Sequence, residues 1–183
     1  SLRLDEESVA RVEVSHTDAE LCVEIRATEK IRAANLRTVR ANVSSVLRLD
    51  EDLEDLYTHA RRDRRRGWIL KKGAGRLLRA PTAYEDLVKL ILTTNCSWAA
   101  TRLMVEHLVG ALGTRVPGGY QLFPSAKQMA AAPEKFYRQV VRAGYRADAL
   151  VRLSRLVASD KLDIEAWRER AFRPSIKQIL EVH

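Results

Sequence analysis

The apolar residues of this chain change their period once, near residue 30, and that change limits the fold more than any other feature. VARVEV (Val9–Val14) and LCVEIRA (Leu21–Ala27) alternate apolar with polar at period two, with SHTDAE between them. They are expected to pair as an antiparallel hairpin. Beyond them the period lengthens towards 3.6. Leu36, Val39, Val43, Val46 and Leu47 share one helical stripe, and Asp50 is placed to cap a second helix carrying Leu53, Leu56, Tyr57 and Ala60. Gly67, Gly73 and Gly75 break the next segment, so RGWILKKGAGRLLRAP is expected as a loop or short extended piece. From Pro81 onward every segment reads as helical. Thr82…Glu85 and Ser125…Gln128 are capping patterns, Tyr84, Leu87, Val88 and Ile91 form a buried stripe, and YRADALVRLSRLVAS is amphipathic. DIEAWRERAF and PSIKQILEV complete a run of short helices. The expected architecture is α+β and mostly α, a small N-terminal antiparallel sheet with helices followed by an all-helical body. The expected division is 1–80, with a basic linker at 61–80, and 81–183.

Charge sharpens this picture. The chain of 183 residues carries a net +8. Residues 61–80, RRDRRRGWILKKGAGRLLRA, hold nine Lys/Arg and one Asp, which is the whole of that excess. A focused basic block in an otherwise neutral chain points to a phosphate-rich partner, with Arg64, Arg65, Arg66, Lys71 and Lys72 as the phosphate contacts. An acidic protein, a membrane surface or a merely solvated charge run are the alternatives. No apolar run reaches the ~18 residues of a membrane span. The opening SLRLDEESVARVEV has neither a basic nor an apolar leader region, so no signal peptide is expected there. Cys22 and Cys96 are far apart and outside any C-x-x-C, and the four histidines are scattered. Free thiols in a reducing compartment, no metal and no cofactor are expected.

One stretch asks for a special explanation. In ILTTNCSWAATRLMVEHL (Ile91–Leu108) a good apolar run stops for Thr93-Thr94-Asn95-Cys96-Ser97 and resumes at Trp98. Asn95 reads either as a helix end that tolerates a left-handed backbone or as a side chain pushed into a partner. Cys96 reads as a filler of the helix–helix corner or as a thiol activated by a helix N-terminus. Trp98 fits the apolar stripe and is expected in the core. No GxSxG, P-loop or GxGxxG is present, and Asp148, Glu165 and Glu169 have no evident partner. The residues themselves announce no catalytic group.

TAYEDLVKLILTTNCSWAATRLMVEHLVGALG resembles the first helices of the helix-hairpin-helix DNA glycosylases, closest to the 8-oxoguanine DNA glycosylases and the 3-methyladenine DNA glycosylase II group. The likeness continues through YQLFPSAKQMAAAPEKFYRQVVRAGYRADALVRLSRLV, with an F-P-S cap and a G-Y-R-A turn at Gly144–Ala147. Upstream, VSSVLRLDEDLEDLYTHA is similar to the segment joining the sheet to the helical body. No single motif is specific; their order and spacing are. The resemblance implies base-excision repair by base flipping. Asn95 would plug the hole left by a flipped base, Thr94 would bind DNA beside it, and Gly144, Tyr145 and Arg146 would set an aromatic wedge and a basic group against the strand. In the residues' own terms Tyr145 reads equally as a core residue and Arg146 as a surface charge.

The family's G-[IV]-G hairpin, its Lys and its Asp have no counterpart in these residues, and neither does its early strand and pocket loop. The sequence therefore looks cut at both ends of the family pattern. No catalytic residue is expected within it, and no excision by these 183 residues alone. The implied function is N-glycosidic cleavage of an oxidised or alkylated purine, with or without strand cleavage. The implied partner is double-stranded DNA containing a damaged base, bound by a monomer away from any membrane, in the cytoplasm of a prokaryote or the nucleus of a eukaryote. The alternatives are a non-catalytic damage-sensing module on the same scaffold, or a helical protein-interaction domain.

Overall fold

In the computed structural model, which describes residues 2–3, 9–17, 20–27 and 30–168, the two alternating segments pair as their period requires. Strand β1 (Leu2–Arg3) lies beside β2 (Val9–His16), and β2 pairs antiparallel with β3 (Leu21–Ala27) in the register Ala10↔Ala27 to His16↔Leu21. That register puts Val12 and Val14 opposite Ile25 and Val23 on one face, with Arg11 and Glu13 opposite Arg26 and Glu24 on the other. The Thr17 amide donates to the Glu20 carbonyl at 2.9 Å and closes the turn.

Three helices follow within Arg32–Pro81. Helix α1 (Ala33–Leu47) buries Val39 and Val43, and its buried Asn35 accepts from the Arg32 amide at 3.0 Å. Leu36, expected on the inner stripe, is half exposed. Asp50 does not cap α2 (Glu54–Arg61). It accepts from the Ser44 hydroxyl at 2.8 Å, and Asp52 accepts from the Glu54 amide at 2.9 Å in its place. The segment expected as a loop is helical. A tight turn, Arg64–Arg66, runs straight into α3 (Gly67–Lys72). Asp63 starts it by accepting from the Arg65 amide at 2.9 Å, and Gly73, with φ +57°, ends it. Gly67 sits in the first turn, where a glycine does little harm. Gly75 is a position for glycine alone, since an added Cβ would lie 2.5 Å from a Leu56 methyl at φ +129°. Arg79 then binds the Ser45 carbonyl and hydroxyl, both at 2.8 Å.

The remaining helices build the main core. They are α4 (Ala83–Thr93), α5 (Trp98–Leu112), α6 (Ala126–Ala131), α7 (Glu134–Phe136), which runs into a π turn at Tyr137–Val141, and α8 (Arg146–Ala158). Val88, Leu92, Leu108, Met129, Tyr137 and Leu150 are fully buried among them. Each such aliphatic side chain contributes about 2 kcal/mol of burial. The Thr82 hydroxyl accepts from the Glu85 amide at 3.1 Å, and Ser125 with Gln128 forms a full capping box. Glu165 completes the start of α4 by accepting from the Ala83 and Tyr84 amides at 2.9 and 3.1 Å. Tyr84 lies 2.7 Å from Ser154, and Tyr137 donates to the Met129 carbonyl at 2.5 Å. Burial pushes the Tyr137 hydroxyl up to about 12 and the Tyr84 hydroxyl further still.

The stretch after Pro81 is not wholly helical. A small hairpin, β4 (Arg115–Val116) with β5 (Tyr120–Gln121), interrupts it, turned by Gly118 and Gly119 at φ +80° and +78°. Contacts divide the chain into Arg32–Pro81 and a second unit joining Ser1–Ile31 with Thr82–His183. The first sheet thus groups with the helical body, where the sequence division had placed it with α1–α3. One link is the Arg11 guanidinium stacked 3.9 Å over the Tyr120 ring. Residues 165–168 form a short 3-10 turn, while PSIKQILEV, the end of DIEAWRERAF and Glu169 lie outside the described residues.

Candidate nucleic-acid interface

The polar interruption after α4 is a corner built from its own hydrogen bonds. Leu92 is buried and anchors the last turn, Thr94 leaves the helix in extended conformation, and Asn95 turns left-handed at φ +47°. Asn is among the few non-glycine residues that adopt this backbone cheaply. Cys96 Sγ donates to the Leu92 carbonyl at 3.2 Å and lies 3.3 Å from the Thr101 hydroxyl, so it fastens the corner. Ser97 then accepts from the Ala100 amide at 3.2 Å and starts α5. The five small polar residues stop one helix, reverse the chain and start the next.

A second turn meets this corner. The π turn ends at Arg142 with φ +62°, Gly144 follows at φ +60°, and α8 begins at Arg146. Arg146 is 8% exposed. Its Nε donates to the Thr94 hydroxyl at 3.1 Å, Nη1 to the Ala143 carbonyl at 3.2 Å, and Nη2 to the Thr94 carbonyl. The expected surface charge is thus a buried tie between the end of α4 and the start of α8. Its guanidinium also sits 4.6 Å from the centre of the Tyr145 ring.

Tyr145 is 61% exposed, which removes the reading of it as a core residue. Its hydroxyl lies 3.2 Å from the Thr94 hydroxyl and accepts from Asn95 Nδ2 at 3.1 Å. Hydrogen bonds from Thr94 and then Asn95, with the Arg146 charge nearby, hold that hydroxyl below the ordinary tyrosine value. Asn95 spends one amide hydrogen on Tyr145; its Oδ1 and second amide hydrogen have no protein partner among the described residues. The structure therefore brings Thr94, Asn95, Gly144, Tyr145 and Arg146 to one place. Beside them a cavity of ≈ 200 Å³ is lined by Cys96, Ala100, Leu103, His107, Arg142 and Arg146. The buried Nδ1 of His107 has no hydrogen-bond partner among the described residues.

Trp98 overturns an expectation. It is 72% exposed, because the inward stripe of α5 is Thr101, Met104 and Leu108 and begins one turn later. Arg64, Arg65, Arg66, Lys71 and Lys72 are all exposed in the Arg32–Pro81 unit. Arg66 pairs with Asp63 at 3.2 Å. Among the described residues no three His, Cys, Asp or Glu side chains gather as a metal site would require, and no helix is long and apolar enough to cross a membrane. Sequence reasoning missed the Glu165 cap and the π turn. PEKFYRQVV has an ordinary helical period, and a carboxylate 82 residues from its partner leaves no local signal.

The fold has relatives among solved structures. No family model and no curated protein matches the chain. Among solved structures it is similar to 3-methyladenine DNA-glycosylase from Archaeoglobus fulgidus, at 15% identity and TM-score 0.76 over 98% of this chain and 61% of that one. It is similar to MBOgg1 in complex with a low-affinity DNA ligand, at 20% identity and TM-score 0.69 over 92% and 59%. It is also similar to Clostridium acetobutylicum 8-oxoguanine glycosylase/lyase in complex with dsDNA containing cytosine opposite 8-oxoG, at 22% identity and TM-score 0.63 over 87% and 53%. The fold is the one these DNA glycosylases share, α+β and mostly helical. The chain spans little more than half the length of each.

Proposed function

We propose that these residues form the DNA-binding, base-flipping part of a DNA glycosylase of the 8-oxoguanine or alkyl-purine branch, acting on duplex DNA with a damaged base. The observation that carries the reading is Asn95, held left-handed at an exposed tip and braced by Tyr145, with its Oδ1 and one amide hydrogen unpartnered among the described residues. Extruding a base costs a few kcal/mol. A side chain offering both a donor and an acceptor offsets part of that by bonding the orphaned partner base. Tyr145 supplies an exposed ring whose stacking on a base is worth ~1–3 kcal/mol. Thr94 and Arg146 touch Asn95 or its brace and hold both in place.

In the intact enzyme the chemistry is cleavage of the N-glycosidic bond, followed by strand cleavage if a Lys attacks the sugar. The reading gives neither role to a residue of this chain. The residues alone bind and discriminate without excising. The test compares affinity for an abasic duplex, a mismatched duplex and an intact duplex of one length. A preference for the abasic and mismatched forms that Asn95→Ala reduces about tenfold supports the reading, a change of about 1.4 kcal/mol. Equal affinity for all three would leave a helical protein-interaction domain as the better account. Release of a damaged base by the 183-residue chain would overturn the assignment of no catalytic group.

A further inference from the structure

We propose that the outer face of the helical run Arg64–Lys72 is a second nucleic-acid surface, one that takes single-stranded DNA by stacking a base on Trp68 between two pairs of cations. Arg64, Trp68, Lys71 and Lys72 stand at i, i+4, i+7 and i+8, which places them on one side of a helix, with Arg65 beside them. Trp68 is 58% exposed, while Ile69 and Leu70 on the other side are partly buried. The side that could have hidden the indole is occupied by smaller residues, and the indole is presented to solvent with its neighbours' charge around it.

The charges are uncommitted. Among the described residues Arg64, Arg65, Lys71 and Lys72 make no ion pair with a carboxylate. Asp63, the single acid of 61–80, caps the run and holds Arg66. Arg61 is paired with Glu54, but no carboxylate pairs with these four among the described residues, so a ligand that brings negative charge suits them. Cations alone would suit a duplex backbone, whose bases are stacked away from reach. An exposed indole at their centre suits a strand whose bases are unpaired, because every base has a face to stack. The run is ~12 Å long, enough for two or three successive phosphates. The inference takes from the reading above only the choice of DNA over RNA. The plug and wedge of Asn95 and Tyr145 are not used.

The experiment measures binding of a labelled oligothymidylate to the full chain in a Tyr145→Ala, Trp98→Ala background, which removes the two other rings that are more than half exposed among the described residues. Trp68→Ala is expected to weaken binding about ten- to a hundredfold, and Trp68→Phe to keep most of it. Replacing Arg64, Arg65, Lys71 and Lys72 with Ala is expected to flatten the salt dependence by about 3 in log–log slope. The same oligonucleotide annealed to its complement is expected to bind without any contribution from Trp68. Single-strand affinity unmoved by Trp68→Ala overturns the proposal. So does tighter binding of an oligouridylate, or Trp68-dependent binding of anionic phospholipid vesicles in place of DNA. The preference of the parent chain for abasic duplex is read separately and stays intact under Trp68→Ala, so the two readings fail independently.

Discussion

At the tip of α4 the exposed groups are committed to one another before any ligand arrives, whereas on α3 the exposed groups touch almost nothing. Thr94 is bonded by Arg146 and lies beside Tyr145, and Asn95 is bonded to Tyr145. That tip carries one buried cation and a left-handed Asn95, and its geometry is set by bonds inside the protein. The Arg64–Lys72 face carries four cations without acidic partners among the described residues and an indole, set only by helical spacing. The difference teaches what each can read. A braced tip can discriminate shape, because moving its groups breaks hydrogen bonds. A free row of cations reads charge, follows a flexible strand and loses affinity steeply with salt.

The largest expected effect tests whether the tip is braced as described. Arg146→Ala removes the three hydrogen bonds of a buried guanidinium, to the Thr94 hydroxyl and carbonyl and to the Ala143 carbonyl, so it should cost about 2–4 kcal/mol. Urea denaturation measures it, and Lys71→Ala serves as the contrast at ~0.5 kcal/mol or less. If both cost the same, the comparison between a built tip and an unbuilt face collapses.

Asn95 separates backbone from side chain. Asn95→Gly keeps the left-handed turn and should hold stability within ~1 kcal/mol while losing the preference for abasic duplex about tenfold. Asn95→Ala should lose that preference and about 1 kcal/mol of stability as well. A glycine variant that discriminates like the parent would mean that Asn95 only turns the chain.

Tyrosine titration followed by tyrosinate absorbance sharpens the contrast between tip and core. Tyr145 should ionise below the ordinary value, since Thr94 and Asn95 bond its hydroxyl, while Tyr137 waits until about 12 and Tyr84 beyond that. The native state holds the Tyr137 proton above pH 10.0, where the unfolded chain has begun to lose it. Stability from that group is whole below pH 10.0 and falls as pH rises towards about 12. Tyr145→Phe should abolish the first step alone. The smallest effect is that of Trp98→Ala, expected within ~0.5 kcal/mol because the indole is 72% exposed. A loss of ~3 kcal/mol or more would restore the core reading.

The parts of this fold that were legible were those with a local cause. Period two produced the β2–β3 pair, and the Thr82 and Ser125 caps follow from side chains three residues from their targets. The meeting of Asn95 with Tyr145, 50 residues apart, was expected only through resemblance, since no periodicity predicts it. Glycine misled once: Gly67 opens a helix where a break was expected, while Gly118 and Gly119 turn a hairpin within GTRVPGGYQLFP, which joins two helices. Trp98 fitted an apolar stripe that in fact starts one turn later. Arg146 could not be placed, because its burial depends on the hydroxyl and carbonyl of Thr94, 52 residues away.

The two clamps on α4 also bear on the order in which the molecule assembles. Its first turn is held by Glu165 from 82 residues away, and its last by Arg146 from 52 residues away. Closing loops of that length carries an entropic cost that only a largely collapsed chain repays. The tip is therefore expected among the last features to form in folding, and a half-folded chain lacks the braced corner that the completed helical body holds in place.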